Sequence, residues 1–150
     1  NGRSARCGDG QIGEDMLTTI ASCLLMASQA YSVPPQVMFG IYKVEGGQVG
    51  QAVRNTNGSY DLGPMQINTI WIPELARLWG VNERTARKWV QTDACVNAGV
   101  SAWILRKHMD ETRNLSRAIS YYHSRTPHLG RRYHNKVLRA MYKNGWLKLN

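Results

Sequence analysis

The sequence contains no apolar run long enough to form a membrane-spanning helix. Such a helix needs about 18 uninterrupted apolar residues, and the most apolar stretch, residues 20–30, is broken by Ser22, Ser28 and Gln29. No signal peptide is recognisable, and because the chain begins at Asn1 without Met, we interpret it as a processed form. The 150 residues suffice for one domain with a hydrophobic core, and we expect no membrane span.

Several common functional motifs are also missing. The histidines have no metal-binding spacing and H-E-x-x-H is absent, so we predict no metal ion and no other cofactor. The nucleophile motif G-x-S-x-G is absent as well. Residues 8–13 match the dinucleotide pattern G-x-G-x-x-G, but no strand precedes them. The oxygen-bearing residues from Asn55 to Asp61 do not form a calcium loop, because Gln66 occupies the position that requires Glu.

Acidic residues are scarce relative to basic ones. The chain has 10 Asp and Glu against 19 Lys and Arg, a net charge of +9. A basic surface attracts polyanions in general, but no nucleic-acid-binding motif accompanies the charge, and we predict no nucleic-acid partner. We interpret the basic C-terminal region as a solvated face, and attraction to an anionic cell wall as the functional alternative. Its cations are Arg125, Arg131, Arg132, Lys136, Arg139, Lys143 and Lys148.

The chain has only three cysteines, Cys7, Cys23 and Cys95. Because the count is odd, at least one is unpaired or pairs with another chain. Cys23 and Cys95 fall within helical patterns, so a disulfide between two packed helices is our leading interpretation, and three reduced thiols are the alternative. A disulfide would indicate an oxidising compartment.

The apolar spacing predicts a mainly helical α+β domain. We interpret residues 1–13 as a flexible tail and residues 14–150 as a single domain. Asn57-Gly58 predicts a small β-hairpin, with Val53 and Tyr60 on its arms and Asp61 on the returning arm. Helical periodicity covers residues 14–31, 35–45, 65–79 and 115–122, a long helix capped by Asp93, and a last helix around 133–141.

Two carboxylates stand out by their local environments. Glu45 ends an apolar helix that begins near Pro35 and stops at Gly46. Burial and the negative end of the helix dipole both disfavour its charge, which raises a carboxyl pKa and suits a general acid. Asp61 lies among polar turn residues and is expected to stay ionised. The simpler alternatives are an exposed Glu at a helix end and an Asp that only hydrogen-bonds to a turn.

Three segments, in this order, resemble the signature of bacterial lytic transglycosylases. They are Glu45, then Gly63-Pro64-Met65-Gln66-Ile67-Asn68, then Tyr121-Tyr122-His123-Ser124. The resemblance is greatest to the small members that accompany secretion, conjugation and pilus systems. Residues 55–68 also resemble the active-site hairpin of c-type lysozyme. Together these resemblances imply a lysozyme-like fold, in which a cleft separates a helical lobe from the hairpin.

The resemblance further implies an activity, a substrate and a location. Peptidoglycan would be cut in the periplasm between N-acetylmuramic acid and N-acetylglucosamine, near a secretion or pilus apparatus. Glu45 would protonate the leaving oxygen and then act as base, while the sugar's 6-hydroxyl closes a 1,6-anhydro ring. The alternatives are a hydrolytic muramidase that uses Asp61 and a non-catalytic wall-binding adaptor.

The resemblance also marks candidate substrate contacts and two departures from the family. Gly46 follows Glu45 where the family usually has a Ser that orients the Glu, so another polar group is needed there. Asp61 is a carboxylate that most transglycosylases lack. The candidate contacts are Gln66, Tyr122, Asn68, Tyr60 and Met65, of which Gln66 and Asn68 are expected at the start of a helix.

Overall fold

The computed structural model describes residues 9–148, with side chains from residue 19 onward. The described chain is mainly helical and carries one small antiparallel sheet, which confirms the predicted α+β class. None of its helices has the length and hydrophobicity of a membrane span. The helices are α1 (Asp9–Tyr31), α2 (Pro35–Glu45), α3 (Ile72–Trp79), α4 (Glu83–Thr92), α5 (Ala94–Thr112), α6 (Leu115–His123) and α7 (Pro127–Lys143). The strands are β1 (Ala52–Arg54), β2 (Tyr60–Leu62) and β3 (Ile67–Asn68).

Local signals at both ends of α2 determine where Glu45 lies. Pro35 occupies the first turn, where a missing N–H costs nothing, and Pro34 precedes it with an extended backbone. Gly46 ends the helix in the left-handed conformation at φ 60°, and its N–H donates to the Tyr42 carbonyl. Glu45 is therefore the last residue of the helix, as predicted.

The predicted hairpin is confirmed and extends into a three-stranded sheet. β1 and β2 pair antiparallel with Val53 opposite Asp61, and β2 and β3 pair with Asp61 opposite Asn68. The connecting loop closes through the Asn55 N–H, which donates to the Ser59 carbonyl at 2.8 Å. Asp61 consequently lies on the central strand between two partners.

Residues 65–67 form a turn and the third strand, so the predicted start of a helix there is wrong. Gln66 has a left-handed backbone at φ 52°, which no α-helix accepts. Met65 and Ile67 are buried on either side of the half-exposed Gln66, an alternation with the period of a strand. Asn68 is likewise not at the start of an α-helix, because it lies in β3 and caps a 3-10 turn at Thr69–Trp71.

Two helices differ from the prediction, one in its start and one in its existence. α1 begins at Asp9, so residues 9–13 are helical and not part of a tail, while residues 1–8 lie outside the described chain. The helical spacing of apolar residues continues upstream in the sequence through Ile12. The sequence pattern did not predict α4, whose buried face consists of Ala86 and Val90. Its N-cap, Asn82, accepts the Thr85 N–H at 2.8 Å and is the signal that could have revealed it.

Helix α5 is central to the core and supports the sheet through one polar side chain. It packs against α1, α4 and α6. Asn97 on α5 is fully buried; it accepts the Met65 N–H at 2.9 Å and donates to the carbonyls of Leu62 and Val90 at 2.8 and 2.9 Å. Its amide therefore holds the segment between β2 and β3 against the helical core.

A disulfide joins Cys23 in α1 to Cys95 at the start of α5, across a Cα separation of 4.8 Å. The residues are 72 positions apart, so the bond closes a long loop that contains the whole sheet. Closing a loop of this length is expected to stabilise the fold by about 4 kcal/mol, because the cross-link lowers the conformational entropy of the unfolded chain.

Removal of this disulfide is expected to lower stability markedly. Cys23→Ala combined with Cys95→Ala should lower the free energy of unfolding by about 2–5 kcal/mol, measured by urea denaturation of both proteins under oxidising conditions. The reduced wild type should unfold at nearly the same urea concentration as the double variant. Equal stability of the oxidised wild type and the double variant would contradict the prediction.

Candidate active site

A cleft of about 680 Å³ runs between the sheet and the helices α5 and α6. Glu45 and Asp61 both line it, so the structure brings the two predicted carboxylates into one site. The predicted contacts Gln66, Asn68 and Tyr122 line it too. The remaining lining residues are Asn55, Asn57, Ser59, Ile67, Ile70, Trp71, Glu74, Ile104, His108, Tyr121, His123, Ser124 and Arg125.

Two predicted contacts lie away from this cleft. Met65 is fully buried, so its side chain serves the core. Tyr60 lies beneath the guanidinium of Arg87, which is 4.7 Å from the ring centroid. Neither residue is part of the cleft lining in the structure.

Glu45 lies in a half-buried position that favours its protonated form. Its Oε1 accepts a hydrogen bond from the Tyr133 hydroxyl at 2.8 Å. The pKa of Glu45 is raised to about 7, chiefly by burial, and the negative charge of Asp61 contributes in the same direction. The Tyr133 hydrogen bond and the charge of Lys136 act in the opposite direction. Near neutral pH, Glu45 can therefore both donate and accept a proton.

Asp61 is oriented by its neighbour on β3. The Asn68 side chain donates to Asp61 Oδ1 at 3.0 Å and to Ser59 Oγ at 3.0 Å. Asn68 Oδ1 in turn accepts the Ile70 N–H at 2.9 Å. Both amide hydrogens of Asn68 are thus engaged within the protein, which makes Asn68 a positioning group for the carboxylate.

Gln66 and Tyr122 differ in how they border the cleft. Gln66 donates through Nε2 to the Gly63 carbonyl at 2.9 Å, and its Oε1 has no hydrogen-bond partner within the described part of the chain. The Tyr122 hydroxyl donates to the Met65 carbonyl at 2.9 Å and lies 2.9 Å from the Ser101 hydroxyl. Burial raises the pKa of Tyr122 well above its ordinary value, so the hydroxyl stays protonated. Gln66 can therefore meet a ligand, whereas Tyr122 holds the turn.

Comparison with known families identifies this arrangement. The family model of the transglycosylase SLT domain matches residues 22–143. The chain belongs to the transglycosylase SLT family. The fold is therefore lysozyme-like, as the sequence resemblance implied, and the matched residues include Glu45, the sheet and α7.

Curated relatives of this SLT domain include the invasion protein IagB of Salmonella typhimurium and that of Salmonella typhi. Each is 31% identical to the chain over 93 residues. The match covers 61% of this chain and 55% of the relative, so it spans about half the length of those proteins.

Tyr133 supplies the polar partner of Glu45 in this SLT domain. Gly46 has no side chain where the sequence resemblance led us to expect a Ser, and the Tyr133 hydroxyl reaches Glu45 from α7 instead. The sequence pattern predicted only that Tyr133 lies in the last helix, where it is buried. Its ring stacks against His123 at 4.9 Å between centroids, which fixes the direction of the hydroxyl. No local signal marked this role, because the partners are 88 residues apart.

Three aromatic rings of the cleft lining contact one another in a row. Trp71, His108 and Tyr121 line the cleft and meet edge to face, with centroid separations of 6.2 Å and 5.9 Å on either side of His108. Burial lowers the pKa of His108, which favours the neutral imidazole. Residues 19–148 contain no group of three or more His, Cys, Asp and Glu side chains that could hold a metal ion.

Replacement of Tyr133 by Phe is expected to change the pH dependence of any reaction that needs protonated Glu45. The hydroxyl lowers the pKa of Glu45, so its loss should raise that pKa, and the descending limb of the pH–rate profile should move to higher pH. The maximal rate should fall about tenfold, because the carboxyl loses its orienting hydrogen bond. Tyr142→Phe, an exposed tyrosine on the same helix, is the control. An unchanged profile in Tyr133→Phe would contradict the assignment.

Proposed function

We propose that this SLT domain is a peptidoglycan lytic transglycosylase. The observation that carries the proposal is Glu45, a half-buried carboxyl with a pKa of about 7 that opens into a cleft. Cleavage of a glycosidic bond needs a group that is protonated near neutral pH and lies beside the leaving oxygen. Glu45 fits that requirement, and the SLT family match supports peptidoglycan as the substrate.

The proposed reaction uses Glu45 twice. Its carboxyl proton passes to the glycosidic oxygen between N-acetylmuramic acid and N-acetylglucosamine as the C1–O bond breaks. The negative charge of Asp61, on the central strand, stabilises the positive charge that develops on the muramic ring. The Glu45 carboxylate then takes the proton of the 6-hydroxyl, whose oxygen bonds to C1. The product is a 1,6-anhydro ring, no water is consumed, and Glu45 is protonated again.

The pH dependence follows from the protonation state that starts the cycle. Glu45 must carry its proton when the substrate binds, so activity is expected to fall as the pH rises through about 7. Gln66 Oε1 is available to accept a hydrogen bond from an acetamido N–H of the sugar. We assign Gln66 this role in substrate binding.

Product analysis tests the proposal. Purified murein is digested by the protein in water enriched in oxygen-18, and the fragments are analysed by mass spectrometry. Anhydro-muropeptides without the heavy isotope are expected. Murein that remains uncleaved over several pH values would overturn the proposal and favour a wall-binding adaptor.

A hydrolytic muramidase is the second candidate, and Asp61 is the observation that favours it. The carboxylate lies in the same cleft as Glu45 and is held by Asn68, as a nucleophile or water-activating group would need to be. Hydrolysis would give reducing ends that carry one oxygen-18 atom. The same digest therefore distinguishes the two reactions.

We further infer that the protein acts in the periplasm, where it opens the wall locally for a secretion or pilus apparatus. The disulfide supports an oxidising compartment, and the relatives are invasion proteins by name. Osmotic-shock fractionation of cells that express the full-length protein should recover it with periplasmic markers. Recovery with the cytoplasmic fraction would contradict this location.

A further inference from the structure

A second pocket adjoins the cleft along α6. It has a volume of about 640 Å³ and lies between α6 and the first turns of α7. Three residues, Tyr121, Ser124 and Arg125, line both the cleft and this side pocket. A branched ligand bound in the cleft can therefore extend a substituent into the side pocket along the protein surface.

The charge of the side pocket is opposite to that of the cleft. Its ionisable lining residues include three arginines and no Asp or Glu, whereas the cleft contains Glu45 and Asp61. The arginines are Arg117, Arg125 and Arg131, and His134 lies beside them. The side pocket therefore favours an anionic group, and the cleft does not.

Two of the three arginines are available to a ligand. Arg125 donates to both carboxylate oxygens of Glu111, at 2.7 and 2.8 Å, and its guanidinium lies 4.6 Å from the Tyr121 centroid. Arg117 and Arg131 are exposed and have no ion-pair partner within residues 19–148. Arg125 thus forms a fixed border to the cleft, and the other two supply unpaired positive charge.

Neutral donors complete the lining between these cations. The Ser124 Oγ accepts the Thr126 N–H at 3.1 Å, which leaves its own O–H free to donate outward. Ser116 and Asn114 also line the pocket, at the start of α6. An anion in the side pocket would meet both guanidinium and hydroxyl donors, the combination that carboxylates prefer.

We propose that the side pocket binds the carboxylates of the peptide stem that peptidoglycan carries on its muramic acid. This inference rests on the proposed function, because it requires a glycan strand in the cleft. The stem branches from the lactyl group of the sugar, so it leaves the strand sideways, beside the bond that is cut. Since it is covalently attached, its effective concentration at the side pocket is high, and two exposed arginines suffice to select it.

Paired charge variants on stem-bearing and stem-free substrates test the inference. Arg117→Ala with Arg131→Ala removes the two free cations of the side pocket. Arg132→Ala with Arg139→Ala removes two exposed cations of α7 that do not line it. On soluble glycan strands with tetrapeptide stems, the first pair should lower kcat/KM about tenfold. The second pair should lower it by less than about twofold.

The substrate comparison decides whether the stem is what the side pocket recognises. On the same strands after an amidase has removed the stems, the Arg117/Arg131 variant should match the wild type. An equal loss on stripped strands, an equal loss in the control pair, or no loss at all would each overturn the inference.

A binding measurement separates failure of this inference from failure of the proposed function. By calorimetry, wild type should bind the free tetrapeptide at least about tenfold more tightly than its amidated form, and the Arg117/Arg131 variant should lose that difference. A protein that cleaves no strand but keeps this preference refutes the transglycosylase while retaining the side pocket. Cleavage without the preference refutes the side pocket alone.

Discussion

Replacement of Glu45 by Gln is expected to lower the rate of murein cleavage by about 10⁴-fold. The amide keeps the size of the side chain but can neither donate the proton to the leaving oxygen nor accept one from the 6-hydroxyl, so both proton transfers fail. The Tyr133 hydroxyl can still donate to the amide oxygen, so the fold should persist. The measurement is the rate of muropeptide release from purified murein, with the melting temperature recorded in parallel.

Glu74→Gln provides the matched control for this loss. Glu74 also lines the cleft, but it is paired with Lys107 Nζ at 2.8 Å and has no part in the proposed proton transfers. The same carboxyl-to-amide change there should alter the rate by less than about tenfold. Comparable losses in the two variants would show that the cleft needs negative charge in general, and would refute Glu45 as the acid.

Asp61→Asn should have the second largest effect and lower the rate of murein cleavage by about 10²-fold. If Asp61 acts by electrostatic stabilisation, the loss is substantial but incomplete, and the remaining product is still the anhydro-muropeptide. Asp61 also raises the pKa of Glu45, so the descending limb of the pH–rate profile should move to lower pH, opposite to the shift expected for Tyr133→Phe.

Asn68→Ala separates the charge of Asp61 from its orientation. This substitution removes the hydrogen-bond donor to Asp61 Oδ1 but keeps the Asp61 carboxylate and its charge. It should therefore lower the cleavage rate less than Asp61→Asn does. If Asp61→Asn instead lost all activity and the wild type gave products that contain oxygen-18, Asp61 would be the nucleophile or water-activating group of a hydrolase.

The parts of the site that were predictable are those specified by adjacent residues. Pro35 and Gly46 bound α2, so the position of Glu45 at its end follows from the chain itself. Asn57 and Gly58 likewise lie in the loop of residues 55–59 that brings Asp61 onto the returning strand. Each of these signals acts over a few residues, because caps and tight turns are local backbone preferences.

The parts that were not predictable depend on contacts distant in sequence. The apolar pattern of Met65 and Ile67 is too short to distinguish a strand from a helix. The conformation of this segment depends instead on the hydrogen bond from the Met65 N–H to Asn97, which is 32 residues away. Tyr133 has an apolar ring that suits any core, and only the packing of α2 against α7 brings its hydroxyl to Glu45. Both contacts need the assembled tertiary structure.

The buried amide of Asn97 also has a consequence for how the domain opens. The Met65 N–H is bonded to this side chain and the Leu62 carbonyl to the same amide, so these two backbone groups are released only when α5 moves away from the sheet. α5 belongs to the core and is covalently linked to α1. The Met65 amide should therefore exchange with deuterium as slowly as the core helices, because the turn between β2 and β3 and the helical lobe form one cooperative unit.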